Sequence, residues 1–193
     1  MATMALAAVA AVVAAYALGT FPTAALVAGK QVTEEGSGNP GASNVYRLAG
    51  RRAGLLVFAG DFLKGVIATG AALAIDGKPL ALACGAAAVV GHCFPVTRRF
   101  RGGKGVATAG GFVLVIEPVV ALVAAVVWAL VAKLTHRASV ASLVIAVGIP
   151  AAVLVLRGPG TEAAVVAAVA ALIVARHADN VARLMRGEER TLR

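Results

Sequence analysis

A glycine-rich polar stretch between two long runs of Ala, Val and Leu carries the first side chains suited to chemistry. It reads GSGNPGASNVYR and spans residues 36–47. Its glycines and proline disfavour a regular helix and let backbone N–H groups turn toward one oxyanion. We therefore interpret the stretch as a phosphate-binding loop; an ordinary turn between two helices is the alternative. The residues assigned to it are Gly36, Ser37, Gly38, Asn39, Gly41, Ser43, Asn44 and the planar cation Arg47.

A second stretch, RRFRGGKGVAT at 98–108, combines glycines with four cations just before a predicted helix. Free N–H groups, the helix dipole and the Lys104 ammonium are expected to converge there on an anion. The spacing of a Walker A loop is absent because Gly105 follows Lys104, so no nucleotide site is predicted. A basic membrane-surface patch is the alternative. The candidate phosphate contacts are Gly102, Gly103, Lys104, Gly105 and Thr108.

A third stretch, RHADNVARLMRGEE at 176–189, reads as a basic amphipathic segment. His177, Asn180 and Leu184 share one helical face, so the first two are expected to point into the protein while the arginines stay at the headgroups. A simple interfacial anchor is the alternative.

Ionisable residues also occur inside predicted spans. Asp61 and Lys64 stand three positions apart on one helical face and are expected to pair. The pair either neutralises two charges or takes part in function, since ionisable groups within spans are functional candidates. Lys64 and His92 are included among the candidate phosphate contacts, and Asp61 is given a structural role.

Composition places these residues in a membrane protein. Hydrophobic residues make up 60% and charged residues 14% of 193 positions, a composition too apolar for a soluble domain of this size. No soluble domain supports nucleic-acid binding, despite the net charge of +9. Cys84 and Cys93 are too far apart along one predicted helix to pair, and no metal or cofactor motif is present. We expect no cofactor.

Seven spans fit the pattern of charges best, within one membrane-embedded domain covering residues 1–193. The runs at 4–28, 53–75, 80–95, 106–116, 118–132, 140–156 and 161–175 are the candidates, with a break at Glu117-Pro118. The first run is expected to be retained rather than cleaved, because no basic region precedes it.

This arrangement makes the loops at 30–52, 97–105 and 133–139 and the tail 176–193 share one side. That side then carries every Lys and Arg except Lys64, Lys78 and Arg157, so it is predicted to be cytoplasmic, with the N-terminus outside. The helix at 106–116 is short, ~16 Å, and is not required to cross fully.

The motifs GSGNPGASNVYR, GDFLKG, GHCFPVTRRFRGGKGVAT and RHADNVARLMRGEE resemble, in order, those of the bacterial acyl-phosphate-dependent glycerol-3-phosphate acyltransferase family (PlsY). The resemblance implies catalytic roles for Ser37 and Arg47, a glycerol-3-phosphate site at 102–105, a functional pair in His177 and Asn180, and a structural role for Glu189. Ser43 stands where threonine is usual, which retains the hydroxyl.

The implied reaction moves an acyl group from acyl phosphate to the 1-hydroxyl of glycerol 3-phosphate, giving lysophosphatidic acid and phosphate in phospholipid biosynthesis. The implied setting is the cytoplasmic face of the bacterial cell membrane, among membrane lipids and beside the enzyme that makes acyl phosphate. Arg47 and Lys104 would offset repulsion between two anions. Direct attack, with His177 or the substrate phosphate as base, is preferred to a Ser37 acyl-enzyme. An organophosphate transporter and a purely structural membrane subunit are the alternatives.

Overall fold

The computed structural model describes residues 2–192, and over this range the regular structure is entirely helical. The helices are α1 (Ala2–Gly19), α2 (Thr23–Ala28), α3 (Ala42–Cys93), α4 (Val106–Ile116), α5 (Pro118–Thr135), α6 (Ala138–Arg157), α7 (Thr161–Arg176) and α8 (Ala178–Met185), with short 3-10 helices at Lys30–Thr33 and Val96–Arg98. The chain forms two compact units, Met1–Ile116 and Glu117–Arg193. Arg193, one of the cations assigned to the cytoplasmic side, lies outside the described residues.

The breaks between helices follow glycine and proline, as predicted. The first apolar run is interrupted between Gly19 and Thr23, where Pro22 cannot donate a helical hydrogen bond. Within α3 the backbone is non-helical at Asp76 and Gly77, so the predicted turn there is confirmed. The break before Pro118 is also confirmed, with proline in the first turn of α5, where its missing N–H is tolerated.

The predicted polar loop at 30–52 is only partly correct. A helix begins at Ala42, so Ser43, Asn44 and Arg47 lie on the first turns of α3 rather than in a loop. Glycine and proline end at Gly41, and the eight residues that follow contain neither, so nothing prevents the helix from starting there. Gly50 then breaks the helix with a backbone φ of 83°.

Close contacts between helices in the first unit depend on glycine. A Cβ at Gly65 would overlap the carbonyl oxygen of Thr108, and one at Gly111 would overlap that of Phe62, so α4 packs directly on the backbone of α3. The ring of Phe112 is fully buried and occupies the space left by Gly85. Small residues allow this approach in membrane proteins, where burial of apolar surface does not drive helices together.

In the second unit, α5 packs on α6 and α6 on α7. The indole N–H of Trp128 donates to Ser142 Oγ at 3.1 Å. Near the start of α5, Arg157 makes two bonds to Glu117, Nε to Oε1 at 2.7 Å and a terminal nitrogen to Oε2 at 3.1 Å. This pair joins the beginning of α5 to the end of α6.

Several helices suit a bilayer. Four helical stretches within the described residues are long and apolar enough to cross it: Thr3–Ala28, Ala42–Arg98, Pro118–Thr135 and Ala138–Arg157. A fifth results if Thr161–Arg176 and Ala178–Met185, bent by 53°, count as one span. The second stretch contains the break at Asp76 and Gly77. Residues 2–192 therefore form an all-helical fold with several helices of membrane-spanning length, while the count of seven spans and the orientation of the termini stay predictions.

Candidate active site

The loop that precedes α3 is built around the side chain of Asn44, which is only 2% exposed. Its Oδ1 accepts the N–H of Ser37 at 2.9 Å. Its Nδ2 donates to the carbonyl oxygens of Val32 at 3.0 Å and Glu35 at 3.2 Å. An asparagine amide has two hydrogens to donate, and both are used here. The geometry therefore favours a role for Asn44 in holding the loop.

Below the loop, Val32 and Val45 pack with Ala24 and Val57 in a buried apolar cluster. The loop thus rests on α2 and α3 rather than projecting freely. Gly36 and Gly38, with φ of 62° and 67°, provide the left-handed backbone that the tight path requires.

Ser37 is half-buried at the tip of this loop. Its Oγ accepts the N–H of Asn39 at 3.4 Å, and a serine hydroxyl that accepts one bond can still donate its own hydrogen. Arg47 follows Asn44 by one helical turn and is also half-buried. Ser37 and Arg47 are therefore tied to the same short region of chain through Asn44.

The N–H groups of the two glycines before Lys104 were predicted to face an anion, but they bind the end of α3 instead. The N–H groups of Gly102 and Gly103 donate to the carbonyl oxygens of Cys93 at 3.2 Å and His92 at 3.1 Å. These carbonyls belong to the last turn of α3, where they have no partner within the helix. The expectation that both amides are free for an anion is wrong, because they cap the end of α3.

Glycine is required at both positions. A Cβ at Gly102 would overlap His92 O, and one at Gly103 would overlap the imidazole of His92. Lys104, half-buried, and Gly105, with a φ of 82°, then lead into α4. The N–H groups of the first turn of α4, beside Lys104, have no acceptor within the helix itself.

The predicted pairing of Asp61 with Lys64 is confirmed. Lys64 Nζ lies 2.6 Å from Asp61 Oδ1 and also donates to the carbonyl of Phe21 at 2.7 Å. His92 Nδ1 lies 3.6 Å from the same carboxylate oxygen. All three ionisable residues are at most 5% exposed. Since the ring of His92 lies against Gly103, this buried cluster supports the loop that carries Lys104.

Arg98 extends the cluster to the surface. The half-buried Arg98 interacts electrostatically with the carboxylate of Asp61. Asp61 therefore influences cations on both α3 and the loop that follows it.

In the second unit, Glu189 is the centre of a polar network. Its Oε1 accepts from Ser139 Oγ at 2.8 Å and from Asn180 Nδ2 at 2.6 Å, and its Oε2 accepts from Arg183 Nε at 2.9 Å. Burial acts to raise the pKa of Glu189, but the bonds from Asn180, Ser139 and Arg183 outweigh it and lower the pKa. Ser139 was not anticipated, because a single serine early in a helix carries no distinctive sequence signal.

His177 lies at the bend between α7 and α8 and is 3% exposed. Its Nδ1 is 2.8 Å from the carbonyl oxygen of Ile173. A carbonyl only accepts, so Nδ1 carries the hydrogen of this bond and, in the neutral ring, Nε2 carries the lone pair. Asn180 is also buried, which confirms that both residues point into the protein.

The turn between α5 and α6 and the C-terminal tail lie together. The N–H of Leu192 donates to the carbonyl of His136 at 2.8 Å, and Ser139 reaches Glu189. The prediction that 133–139 and the tail share one side is thus consistent with the geometry of this unit.

The predicted site residues fall into both units. The first contains Gly36, Ser37, Gly38, Asn39, Gly41, Ser43, Asn44, Arg47, Asp61, Lys64, His92, Gly102, Gly103, Lys104, Gly105 and Thr108, and the second contains His177, Asn180 and Glu189. Thr108 is fully buried, with its carbonyl oxygen against Gly65. Among residues 2–192, His, Cys, Asp and Glu side chains form no group of three or more that could hold a metal ion.

Comparison with known proteins gives a consistent result. Residues 9–187 match the model of the family described as glycerol-3-phosphate acyltransferase. A glycerol-3-phosphate acyltransferase of Aromatoleum aromaticum is 45% identical over 91% of this chain and 92% of its own. One of Syntrophotalea carbinolica is 39% identical over 91% and 93% of the two chains.

Solved structures agree with the sequence comparison. The crystal structure of PlsY (YgiH), an integral membrane glycerol 3-phosphate acyltransferase, in its glycerol 3-phosphate form has a TM-score of 0.92 to this chain at 36% identity, covering 96% of this chain and 95% of that one. Its lysophosphatidic acid form has a TM-score of 0.89. The agreement extends over almost the entire length, so this chain belongs to the PlsY family of integral membrane glycerol-3-phosphate acyltransferases.

Proposed function

We propose that the protein transfers a fatty acyl group from acyl phosphate to the 1-hydroxyl of glycerol 3-phosphate, forming lysophosphatidic acid and inorganic phosphate. The observation that supports this most directly is the 36% identical PlsY structure, which exists in glycerol 3-phosphate and lysophosphatidic acid forms. The proposal uses no metal and no cofactor, because acyl phosphate is already an activated mixed anhydride.

The first unit supplies the groups suited to phosphate. Lys104 stands before the first turn of α4, where N–H groups and the helix dipole favour an anion. The planar guanidinium group of Arg47 can bind phosphate through two hydrogen bonds. In this proposal Arg47 and Lys104 offset the repulsion between two anionic reactants. The contacts proposed beside them are Gly36, Gly38, Asn39, Gly41, Ser43 and Gly105. The candidates that the structure gives a supporting role instead are Asn44, Lys64, His92, Gly102, Gly103 and Thr108.

The chemical step is direct attack. The 1-hydroxyl oxygen of glycerol 3-phosphate forms a bond to the acyl carbonyl carbon, the bond from that carbon to the phosphate oxygen breaks, and phosphate leaves with the electron pair. The hydroxyl proton passes to His177 Nε2, which carries the lone pair in the neutral ring, or to the substrate phosphate. Asn180, held by Glu189, is the proposed partner of His177.

An acyl-enzyme at Ser37 is the competing mechanism. A serine nucleophile requires an adjacent base. Ser37 Oγ instead accepts a backbone N–H from Asn39, and its own N–H is bound by the amide of Asn44. Neither partner can take a proton, so Ser37 is better suited to donate a hydrogen bond to the developing oxyanion. Recovery of an acyl ester on Ser37 during turnover would overturn direct attack.

The proposed setting is the cytoplasmic face of a bacterial plasma membrane. The acyl chain of the donor then remains among lipids, which suits an integral membrane protein, while glycerol 3-phosphate arrives from water. The enzyme that makes acyl phosphate is the expected neighbour in the reaction sequence.

The proposal is tested with purified protein in detergent micelles. Phosphate should be released from acyl phosphate only when glycerol 3-phosphate is present; release without it, or none at all, contradicts the proposal. Arg47→Ala and Lys104→Ala are expected to lower the rate by about a hundredfold or more, the range typical of removing one donor to a developing charge. Lys78→Ala, at the Asp76-Gly77 break, is the matched control and should retain activity.

A further inference from the structure

The hydroxyl of Tyr16, on α1, holds the turn that follows α3. It donates to the carbonyl oxygen of Phe94 at 2.7 Å and accepts the N–H of Val96 at 3.1 Å. These two backbone groups flank Pro95, which is fully buried. Tyr16 and Phe94 are 78 residues apart along the chain, so only the folded protein brings them together.

This turn requires a group that both donates and accepts. At Phe94 the backbone leaves the helix, with φ of −131° and ψ of 63°. Pro95 has no N–H to contribute, so the regular pairing of the helix stops between the carbonyl before it and the N–H after it. A hydroxyl can satisfy both at once, whereas a carbonyl or an amide N–H could satisfy only one.

Tyr16 is itself fixed in position by the packing of α1 on α3. A Cβ at Gly91 would overlap the carbonyl oxygen of Tyr16, and one at Gly19 would overlap that of Ala88. The two helices therefore touch through their backbones at Tyr16 and again at Gly19, about one turn later. The position of its hydroxyl is therefore fixed, and the two hydrogen bonds from that hydroxyl hold the turn in place.

The Pro95 turn also determines the position of the loop that carries Lys104. The carbonyl of Pro95 accepts the N–H groups of Arg98 at 3.0 Å and Phe100 at 2.9 Å. Gly102 then folds back so closely that a Cβ there would overlap the ring of Pro95. A displacement of Pro95 must therefore move Gly102, and with it Lys104 two positions on.

We propose that Tyr16 is a positioning residue for the Lys104 loop, acting through the Pro95 turn without touching the reactants. This inference rests on the proposed function and assigns to Lys104 the phosphate of glycerol 3-phosphate, in line with the acceptor site expected at 102–105. Tyr16 fixes where the ammonium stands, so its loss affects acceptor binding more than the chemical step.

The test compares Tyr16→Phe with Tyr46→Phe, which removes the same hydroxyl from the other tyrosine of the chain. For Tyr16→Phe we expect the KM for glycerol 3-phosphate to rise about tenfold, equivalent to ~1.4 kcal/mol, with kcat within about twofold of wild type. Tyr46→Phe should leave both constants unchanged. A general loss of stability would lower the active fraction, and hence kcat, without this change in KM.

Trypsin provides a readout that does not depend on activity. Arg98, Arg99, Arg101 and Lys104 are cleavage sites in the loop, and Arg186 in the exposed tail is an internal reference. Cleavage in the loop, relative to the tail, should be about tenfold faster in Tyr16→Phe. Unchanged KM together with unchanged cleavage overturns the inference.

The outcomes separate the two proposals. If the wild type fails to acylate glycerol 3-phosphate, the proposed function falls, and relative cleavage still decides whether Tyr16 holds the loop. If the wild type is active and Tyr16→Phe matches it in both assays, only the role of Tyr16 falls. Should Tyr16→Phe not fold, hydrogen exchange in the wild type decides: a protected Val96 amide supports the inference, and rapid exchange there overturns it.

Discussion

Replacing Asn44 with alanine tests whether this residue holds the phosphate loop or binds phosphate itself. The side chain is buried and serves three backbone groups, Ser37 N–H and the carbonyls of Val32 and Glu35. At a net ~1 kcal/mol for each hydrogen bond, Asn44→Ala should destabilise the loop by ~3 kcal/mol. Because ~1.4 kcal/mol is a factor of ten, local opening should become about a hundredfold more frequent.

Two further variants sharpen the comparison. Asn44→Asp keeps the size and the acceptor for Ser37 N–H, but it places a carboxylate oxygen against the carbonyls of Val32 and Glu35. Since acceptors facing acceptors repel, this variant should be at least as disruptive as alanine. Thr33→Val is the control, because it removes only an exposed bond to Lys30 O and should change loop opening less than about twofold.

The assay is hydrogen–deuterium exchange of residues 36–41 in detergent, together with the KM for both substrates. Faster exchange in Asn44→Ala and Asn44→Asp, with Thr33→Val unchanged, supports the reasoning. If Asn44 served mainly as a phosphate contact, alanine would raise KM and leave exchange as in the wild type. That pattern would refute a role in holding the loop.

Two other predictions concern stability. Gly65→Ala should lower the free energy of unfolding in detergent by ~1–3 kcal/mol, because its Cβ would overlap Thr108 O. Gly70→Ala, with open space around it, should be neutral or slightly stabilising. Equal thermal shifts for the two variants would contradict this account of packing. Because its three hydrogen bonds hold the pKa of Glu189 below the ordinary value of 4.5, its stabilising contribution should be complete above that pH and disappear as the pH falls through the lowered pKa. Glu189→Gln should remove this part of the acid sensitivity measured by thermal unfolding, and an unchanged pH profile would argue against it.

The sequence by itself determined most of the helices, three of their breaks and the family, but not the start of α3 at Ala42. Apolar runs, interrupted by glycine and proline, can satisfy their backbone only as helices in a membrane, so the breaks at Pro22, Asp76-Gly77 and Pro118 were predictable. Asp61 and Lys64 were also predictable as a pair, since their contact is local on one helix. The ordered motifs were sufficient to indicate the family.

Tertiary structure alone decided which polar groups are free to act. The amides of Gly102 and Gly103 looked available, but they cap α3, because the loop folds back onto the end of that helix. Tyr16 and Ser139 gave no signal, because their partners lie far along the chain. Composition and spacing report which hydrogen-bonding groups a segment offers, whereas the partner that each group takes depends on segments brought together only by folding.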